Sequence, residues 1–146
     1  VNKKASAAHK EGLKAIICIG ETANQRKFGQ TISCLYKQLE ASVPDTATTS
    51  NTVIAYEPRW AIGSGLTPSP EQISEAHKAI HNFSEKNILQ LDNPLCVLYG
   101  GSVNTTNAAQ ILQIEGVGGT LIGGASLIAK DFWSICMDAN RQQIIN

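Results

Sequence analysis

Four short apolar runs alternate along the chain with longer stretches in which apolar residues recur every three or four positions. A continuous apolar run is typical of a strand buried on both faces, whereas the longer spacing predicts a helix with one apolar side. The predicted strands are residues 15–19, 52–56, 95–99 and 120–122. The predicted helices are residues 3–11, 31–43, 107–114 and 130–145, together with one that begins at Pro70. This order is one helix followed by four strand–helix units.

Local signals refine the pattern. Ser69 and Gln72 form a predicted capping box around Pro70, and proline is favoured at the first position of a helix. Residues 22–29 are polar and predict a loop, and residues 92–94 carry the Asp-Asn-Pro signal of a turn.

Strands separated by helices of about ten to fifteen residues pair in parallel through right-handed crossovers. The predicted fold class is therefore α/β, and four such units amount to half of a (β/α)8 barrel. We expect residues 1–146 to form a single domain. In such folds the functional groups collect just beyond the carboxyl ends of the strands.

Composition narrows the range of partners. Hydrophobic residues make up 42% of the 146 residues and charged residues 16%, as in globular proteins. Twelve basic residues balance twelve acidic ones, so electrostatics favour neither nucleic acid nor an anionic membrane surface. No apolar run approaches the ~18 residues of a membrane span, and no targeting segment is evident. We expect no nucleic-acid partner and no membrane partner.

The four cysteines, Cys18, Cys34, Cys96 and Cys136, are widely spaced and include no CxxC pair. This spacing predicts free, buried thiols in a reducing compartment. We therefore expect a cytoplasmic protein.

The candidate chemistry lies at the ends of the predicted strands. The run AYEPRWAIGSG puts the carboxylate of Glu57 where the second strand opens into a loop. YGGS at residues 99–102 and GGAS at residues 123–126 follow two other strands, and such loops offer backbone N–H groups that hold phosphate. Together they predict proton abstraction from a small phosphorylated substrate. Two simpler interpretations stay open: Glu57 pairs with a cation such as Arg59, or the glycine pairs are only tight turns.

Three motifs, AYEPRWAIGSG, YGGSVN and LIGGASL, resemble the triosephosphate isomerase family in their order and spacing. CIGE at residues 18–21 resembles the end of that family's fifth strand. The resemblance runs from residue 3 to the C-terminus. It implies an incomplete TIM barrel that comprises helix 4 and strand–helix units 5 to 8.

The resemblance implies roles for five residues. Glu57 is the catalytic base that interconverts glyceraldehyde 3-phosphate and dihydroxyacetone phosphate through an enediolate, in glycolysis and gluconeogenesis. Gly63, Ser102, Gly123 and Gly124 bind the phosphate of this triose substrate. The resemblance further implies that no cofactor is used and that the full-length protein is a homodimer.

Residues 58–68 resemble the family's mobile lid, and the resemblance implies that Trp60 pairs with Glu21 when the lid is open. The alternative is that Trp60 is an ordinary packed aromatic residue beside a surface loop. Arg59 and Leu66 depart from the residues usual in the family, which bears on how the lid moves rather than on the assignment.

His77 and His81 lie four positions apart on one predicted helix, a spacing that suits a metal ion. The sequence offers no third ligand, and the helix belongs to the outer ring of the predicted barrel. We therefore expect no metal site.

The resemblance places three further catalytic groups, a His, an Asn and a Lys, before residue 1. We expect the isolated chain to be nearly inactive, because these groups polarise the substrate carbonyl and neutralise developing charge. Two functions stay open. The chain is part of an active isomerase, or it is a non-catalytic half-barrel that binds phosphate or self-associates. Another phosphate-binding barrel enzyme ranks third.

Overall fold

The structure is a computed structural model that describes residues 1–87 and 95–145. The order of one helix and four strand–helix units is confirmed, and the turn predicted at residues 92–94 lies outside the described residues. In chain order the elements are α1 (Asn2–Lys10), β1 (Ala15–Ile19), α2 (Ala23–Lys27), α3 (Thr31–Ser42), β2 (Thr52–Tyr56), α4 (Pro70–Asn87), β3 (Val97–Tyr99), α5 (Ala108–Leu112), β4 (Gly119–Thr120), a 3-10 turn (Gly124–Leu127) and α6 (Ala129–Ile145).

The four strands form one parallel sheet in the order β1-β2-β3-β4. Ile19 lies beside Tyr56, and Tyr56 lies beside Tyr99, so the carboxyl ends of three strands are level. Tyr99 in turn lies beside Thr120 in β4. The predicted parallel α/β class is confirmed.

One face of the sheet packs against α3 and α4 and forms the hydrophobic core. The helices contribute apolar residues one or two turns apart, as the sequence spacing predicts. The buried side chains of this core include Ile17, Ile54 and Val97 from the sheet, Leu35 and Leu39 from α3, and Ile73 and Ile80 from α4.

The opposite face of the sheet is open at β1. Burial alternates along this strand: Ile17 and Ile19 are buried, whereas Ile16 is 49% exposed and Cys18 is also exposed. The prediction that this strand is covered on both faces is wrong, because the described helices pack against only one face of a four-stranded sheet.

All four cysteines are free, as predicted, but only Cys34 is buried. Cys18 lies on the open face of β1, Cys96 directly precedes β3, and Cys136 is exposed on α6. The prediction of buried thiols is wrong for these three residues. An apolar run in the sequence does not reveal which of its side chains faces the covered side of the sheet.

A short helix, α2, occupies part of the predicted loop at residues 22–29. Thr22 and Gln25 form its capping box: the Gln25 N–H donates to the Thr22 hydroxyl at 3.3 Å, and the Thr22 N–H donates to Oε1 of Gln25 at 2.9 Å. The T-x-x-Q signature is therefore a better guide here than polarity.

The predicted capping box of α4 is confirmed. The N–H of Gln72 donates to the Ser69 hydroxyl at 3.3 Å, and the N–H of Ser69 donates to Oε1 of Gln72 at 3.0 Å. No helix in the described part of the chain has the length and apolar character needed to cross a membrane.

Candidate functional site

Glu57 follows β2 directly, at the level where the neighbouring strands also end. Its N–H donates to the carbonyl of Ile19 at 2.7 Å, and the N–H of Gly100 donates to the carbonyl of Tyr56 at 2.8 Å. These bonds extend the parallel ladder beyond the strands on both sides of β2. They fix the backbone of Glu57 at the carboxyl edge of the sheet, where the sequence analysis predicts it.

The Glu57 side chain lies against Gly100. A Cβ atom at residue 100 would come 2.7 Å from Cγ and 3.2 Å from Oε1 of Glu57, so glycine leaves the room that this side chain occupies. The thiol of Cys18, on β1, is close to the same carboxylate: burial first, and then the negative charge of Glu57, raise the pKa of Cys18. The half-buried carboxylate is thus flanked by a thiol on one side and bare backbone on the other.

The ion pairs in the described part of the chain join Arg26 to Glu21 and Lys78 to Glu115. Glu57 takes part in neither of them. The interpretation of Glu57 as an ion-pair partner of Arg59 therefore has no support in the structure.

Glu21 holds the start of the loop that follows Glu57. The indole N–H of Trp60 donates to Oε1 of Glu21 at 3.0 Å, and the Tyr56 hydroxyl donates to Oε2 at 3.1 Å. The backbone N–H of Arg59 donates to the carbonyl of Glu21 at 3.0 Å. Burial, followed by the charge of Glu21, raises the pKa of Tyr56. The implied Trp60–Glu21 pair is present, so Trp60 is more than a packed aromatic residue.

Glycines and short local hydrogen bonds shape the rest of this loop, residues 58–68, which we call the lid loop after the role that the sequence resemblance predicts for it. Gly63 and Gly65 have φ of +64° and +74°, a conformation that glycine adopts readily. The Ser64 hydroxyl donates to the carbonyl of Trp60 at 3.0 Å and accepts from the N–H of Leu66 at 3.2 Å. These contacts lie within the loop itself.

The residues predicted to bind phosphate fall into two groups at the carboxyl edge of the sheet. Ser102 is tied to the lid loop, because its hydroxyl donates to the carbonyl of Ala61 at 2.6 Å, close in sequence to Gly63. Gly123 and Gly124 follow β4 and are exposed. Apart from the chain neighbours and the backbone of the turn itself, no heavy atom of the described residues lies within 4 Å of the position that a Cβ atom would take at either glycine. The space beside this pair is open to a ligand.

The Gly123–Gly124 pair also makes a tight turn. The N–H and the hydroxyl of Ser126 both donate to the carbonyl of Gly123, at 2.9 and 2.7 Å, and begin the 3-10 turn Gly124–Leu127. The backbone at Gly123 and Gly124 therefore does form the tight turn of the simpler interpretation. It does not exclude anion binding, since the turn leaves open space beside the glycines.

His77 and His81 converge on one backbone carbonyl. His77 Nδ1 and His81 Nε2 each lie 3.0 Å from the carbonyl oxygen of Gly116. His77 is buried and meets the ring of Tyr56 edge-on at 5.9 Å between centroids, and burial lowers the pKa of His77 to about 4. Within residues 1–87 and 95–145, no three His, Cys, Asp or Glu side chains form a group that could hold a metal ion.

Two contacts of this site are not predictable from the sequence pattern alone. Arg26 lies 3.6 Å from the Glu21 carboxylate, and Cys18 lies beside Glu57. The capping signature of Thr22 and Gln25 was a usable signal for a helix that presents Arg26.

Comparisons with known proteins agree with this architecture. The family model for triosephosphate isomerase matches residues 1–139. Triosephosphate isomerase of Mesorhizobium japonicum is 50% identical over 135 residues and that of Chelativorans sp. is 52% identical over 136, and each alignment covers 92% of this chain and 53% of the relative. The crystal structure of triosephosphate isomerase from Bartonella henselae matches with a TM-score of 0.86 at 41% identity, over 96% of this chain and 55% of that one.

The chain thus spans about half the length of the relatives it matches. Its parallel sheet and flanking helices correspond to a fragment of a TIM barrel. On the family match and the structural match together, the chain belongs to the triosephosphate isomerase family.

Proposed function

We propose that this chain is the part of a triosephosphate isomerase that carries the catalytic base, Glu57. One observation carries the proposal: the Glu57 carboxylate lies half-buried against Gly100, at the edge of the sheet where (β/α)8 enzymes bind their substrates. The reaction is taken from the relatives, which are named triosephosphate isomerase.

Isomerisation of a triose phosphate moves one proton between adjacent carbons, and a second proton between the two oxygens that these carbons carry, through an enediolate. In the proposed mechanism the Glu57 carboxylate removes the proton from one carbon and then returns it to the neighbouring carbon. The hydroxyl proton passes from one oxygen to the other by way of the further catalytic groups that the resemblance implies. The base is regenerated in each cycle and no electrons are gained or lost overall, so we propose a reaction without a cofactor.

Gly63, Ser102, Gly123 and Gly124 are proposed to bind the substrate phosphate. The open space beside Gly123 and Gly124 supports this role, because bare backbone lets N–H groups approach an anion closely. The hydrogen bond from Ser102 to Ala61 supports a link between phosphate binding and the lid loop. Closure of that loop would exclude water from the enediolate.

The proposal extends to the whole protein as a cytoplasmic homodimer in glycolysis and gluconeogenesis. Four free cysteines support a reducing compartment. Sedimentation of the whole protein tests the dimer, and cell fractionation tests the compartment.

The decisive experiment is a chimera in which residues 1–146 replace the matching segment of the Mesorhizobium japonicum relative, whose remainder completes the barrel. We expect this chimera to isomerise triose phosphate. Glu57→Gln should lower kcat by about 10²–10⁴-fold, the usual contribution of a general base, and Glu57→Asp should retain part of the activity. A folded chimera in which Glu57→Gln is as active as the parent would overturn the role of Glu57.

The second candidate is a non-catalytic half-barrel that self-associates or binds phosphate. Exposed apolar side chains favour it, among them Ile16 at 49% and Trp133 at 68% exposure. Sedimentation of the 146-residue chain and calorimetric titration with inorganic phosphate test this function. A phosphate-binding oligomer whose chimera is folded but inactive would favour it over the isomerase.

A further inference from the structure

Glu21 is a carboxylate without access to solvent, at 0% exposure, and it contacts Arg59 and Trp60 at the start of the lid loop. It accepts the Tyr56 hydroxyl and the Trp60 indole N–H, both neutral donors. Burying a carboxylate is costly unless a cation and hydrogen bonds compensate it. A nearby cation is therefore needed to stabilise the Glu21 carboxylate in this buried position.

Arg26 supplies that charge. Its guanidinium lies 3.6 Å from Oε1 of Glu21, and its side chain is only 18% exposed. The same nitrogen donates to the hydroxyl of Thr31 at 3.4 Å, at the start of α3. In the described part of the chain, Arg26 is the one cation within ion-pair distance of Glu21.

The position of Arg26 is set by the local fold of α2. The capping box of Thr22 and Gln25 starts this helix directly after Glu21, so Arg26 lies a little more than one helical turn beyond the carboxylate it faces. Residue 27, next in the chain, is an exposed lysine and forms no ion pair with any residue that the structure describes. The sequence thus has two adjacent cations, and of these Arg26 lies next to Glu21.

We propose that Arg26 is a positioning residue of the lid loop, which holds the Glu21 carboxylate in place as the acceptor of the Trp60 indole. A buried carboxylate that loses its cation is no longer compensated, and when it turns toward solvent the Trp60 indole loses its charge-assisted hydrogen bond. The functional meaning of this inference rests on the proposed lid role of residues 58–68. The contact itself does not depend on that role.

To test this inference, we would measure the chemical shifts of the Trp60 indole N–H group by nitrogen–proton NMR in the 146-residue chain. The chain has two tryptophans, and Trp133→Phe leaves Trp60 as the single reporter. Glu21→Gln gives the reference position for an indole that has lost its charged acceptor. We expect Arg26→Gln to move the resonance most of the way to that reference, Arg26→Lys to restore much of the parent position, and the control Lys27→Gln to leave it unchanged.

An unchanged resonance in folded Arg26→Gln protein would overturn the inference. Should that variant fail to fold, Thr31→Val provides a milder test, because it removes only the hydroxyl that Arg26 also contacts. It should move the resonance in the same direction, and an unmoved resonance in that variant would equally overturn the inference. The NMR measurement does not require enzymatic activity. A negative result for Arg26 can therefore be distinguished from an inactive chimera, which would contradict the proposed function.

Discussion

Glu57 and Gly100 occupy adjoining positions, so that a Cβ atom at residue 100 would come 2.7 Å from Cγ of Glu57. This contact joins the end of β2 to the end of β3. The bond from the Gly100 N–H to the Tyr56 carbonyl, at 2.8 Å, holds the two backbones together. The carboxylate therefore keeps its place only while residue 100 has no side chain.

Gly100→Ala is expected to displace the Glu57 carboxylate, because the ladder bond prevents the backbone from moving aside. A base displaced by about 1 Å loses roughly 10²-fold in rate. In the chimera with the Mesorhizobium japonicum relative we therefore expect a fall of that order in kcat, with far-ultraviolet circular dichroism showing an intact fold. A folded Gly100→Ala chimera with the parent's kcat would contradict this prediction.

The nearness of Cys18 to Glu57 gives a second, activity-independent prediction. The carboxylate is the second cause of the raised pKa of Cys18, after burial. Glu57→Gln should therefore lower that pKa and speed alkylation of Cys18 by iodoacetamide near pH 8, as measured by peptide mass spectrometry. Cys136, exposed on α6, is the internal control and should react at the same rate in both proteins. Equal alkylation rates of Cys18 in the two proteins would show that the Glu57 carboxylate does not lie close to the Cys18 thiol.

Gly124→Ala should separate ligand binding from folding. The added methyl group meets open space, so the free energy of unfolding should change by less than about 0.5 kcal/mol. The same methyl group obstructs the approach of an anion to the backbone N–H groups. Loss of one hydrogen bond to a charged group corresponds to a rise in KM of about tenfold or more in the chimera. An unaltered KM would remove Gly124 from the proposed phosphate site.

The buried imidazole of His77 predicts acid sensitivity. Burial lowers the pKa of His77 to about 4, against an ordinary value of 6.5, so below pH 6.5 the unfolded state binds a proton that the folded state does not. This contribution to stability is present above pH 6.5 and is lost as the pH falls toward 4. From about pH 7 to about pH 5 the loss is roughly 2 kcal/mol, measurable by urea unfolding.

His77→Gln should flatten that pH dependence even if it lowers stability at every pH. His9→Gln is the matched control: His9 bonds the hydroxyls of Thr46 and Thr52 and is not among the buried residues. It should leave the slope unchanged. Identical slopes in all three proteins would show that His77 is not the titrating group.

Much of the architecture was predictable because apolar residues recur with a different period in strands and in helices. The bounds of β2 agree with the apolar run at residues 52–56, and the start of α4 agrees with its capping box. The glycine-rich strand β4 was harder: the prediction of residues 120–122 compares with an observed Gly119–Thr120. A short edge strand has one neighbour, and its length depends on that neighbour rather than on its own sequence.

The burial of individual side chains was less predictable than the elements. Ile16 and Cys18 belong to a run that reads as fully buried, and their exposure depends on how many strands surround β1. The position of Glu57 at the end of β2 was predictable, because it directly follows an apolar run, and in parallel α/β folds functional groups collect beyond the carboxyl ends of the strands. The Arg26–Glu21 pair was not, since it depends on the distance between two side chains after α2 has folded.

The uniform direction of the four strands restricts what can adjoin them. A segment that extends the sheet in the same pattern, beside β1 or beside β4, must run parallel to its neighbour. Each strand added in this way requires a crossover of about a dozen residues or more, because a two-residue hairpin would reverse the chain. The sheet can therefore be extended toward a closed barrel only by whole strand–helix units.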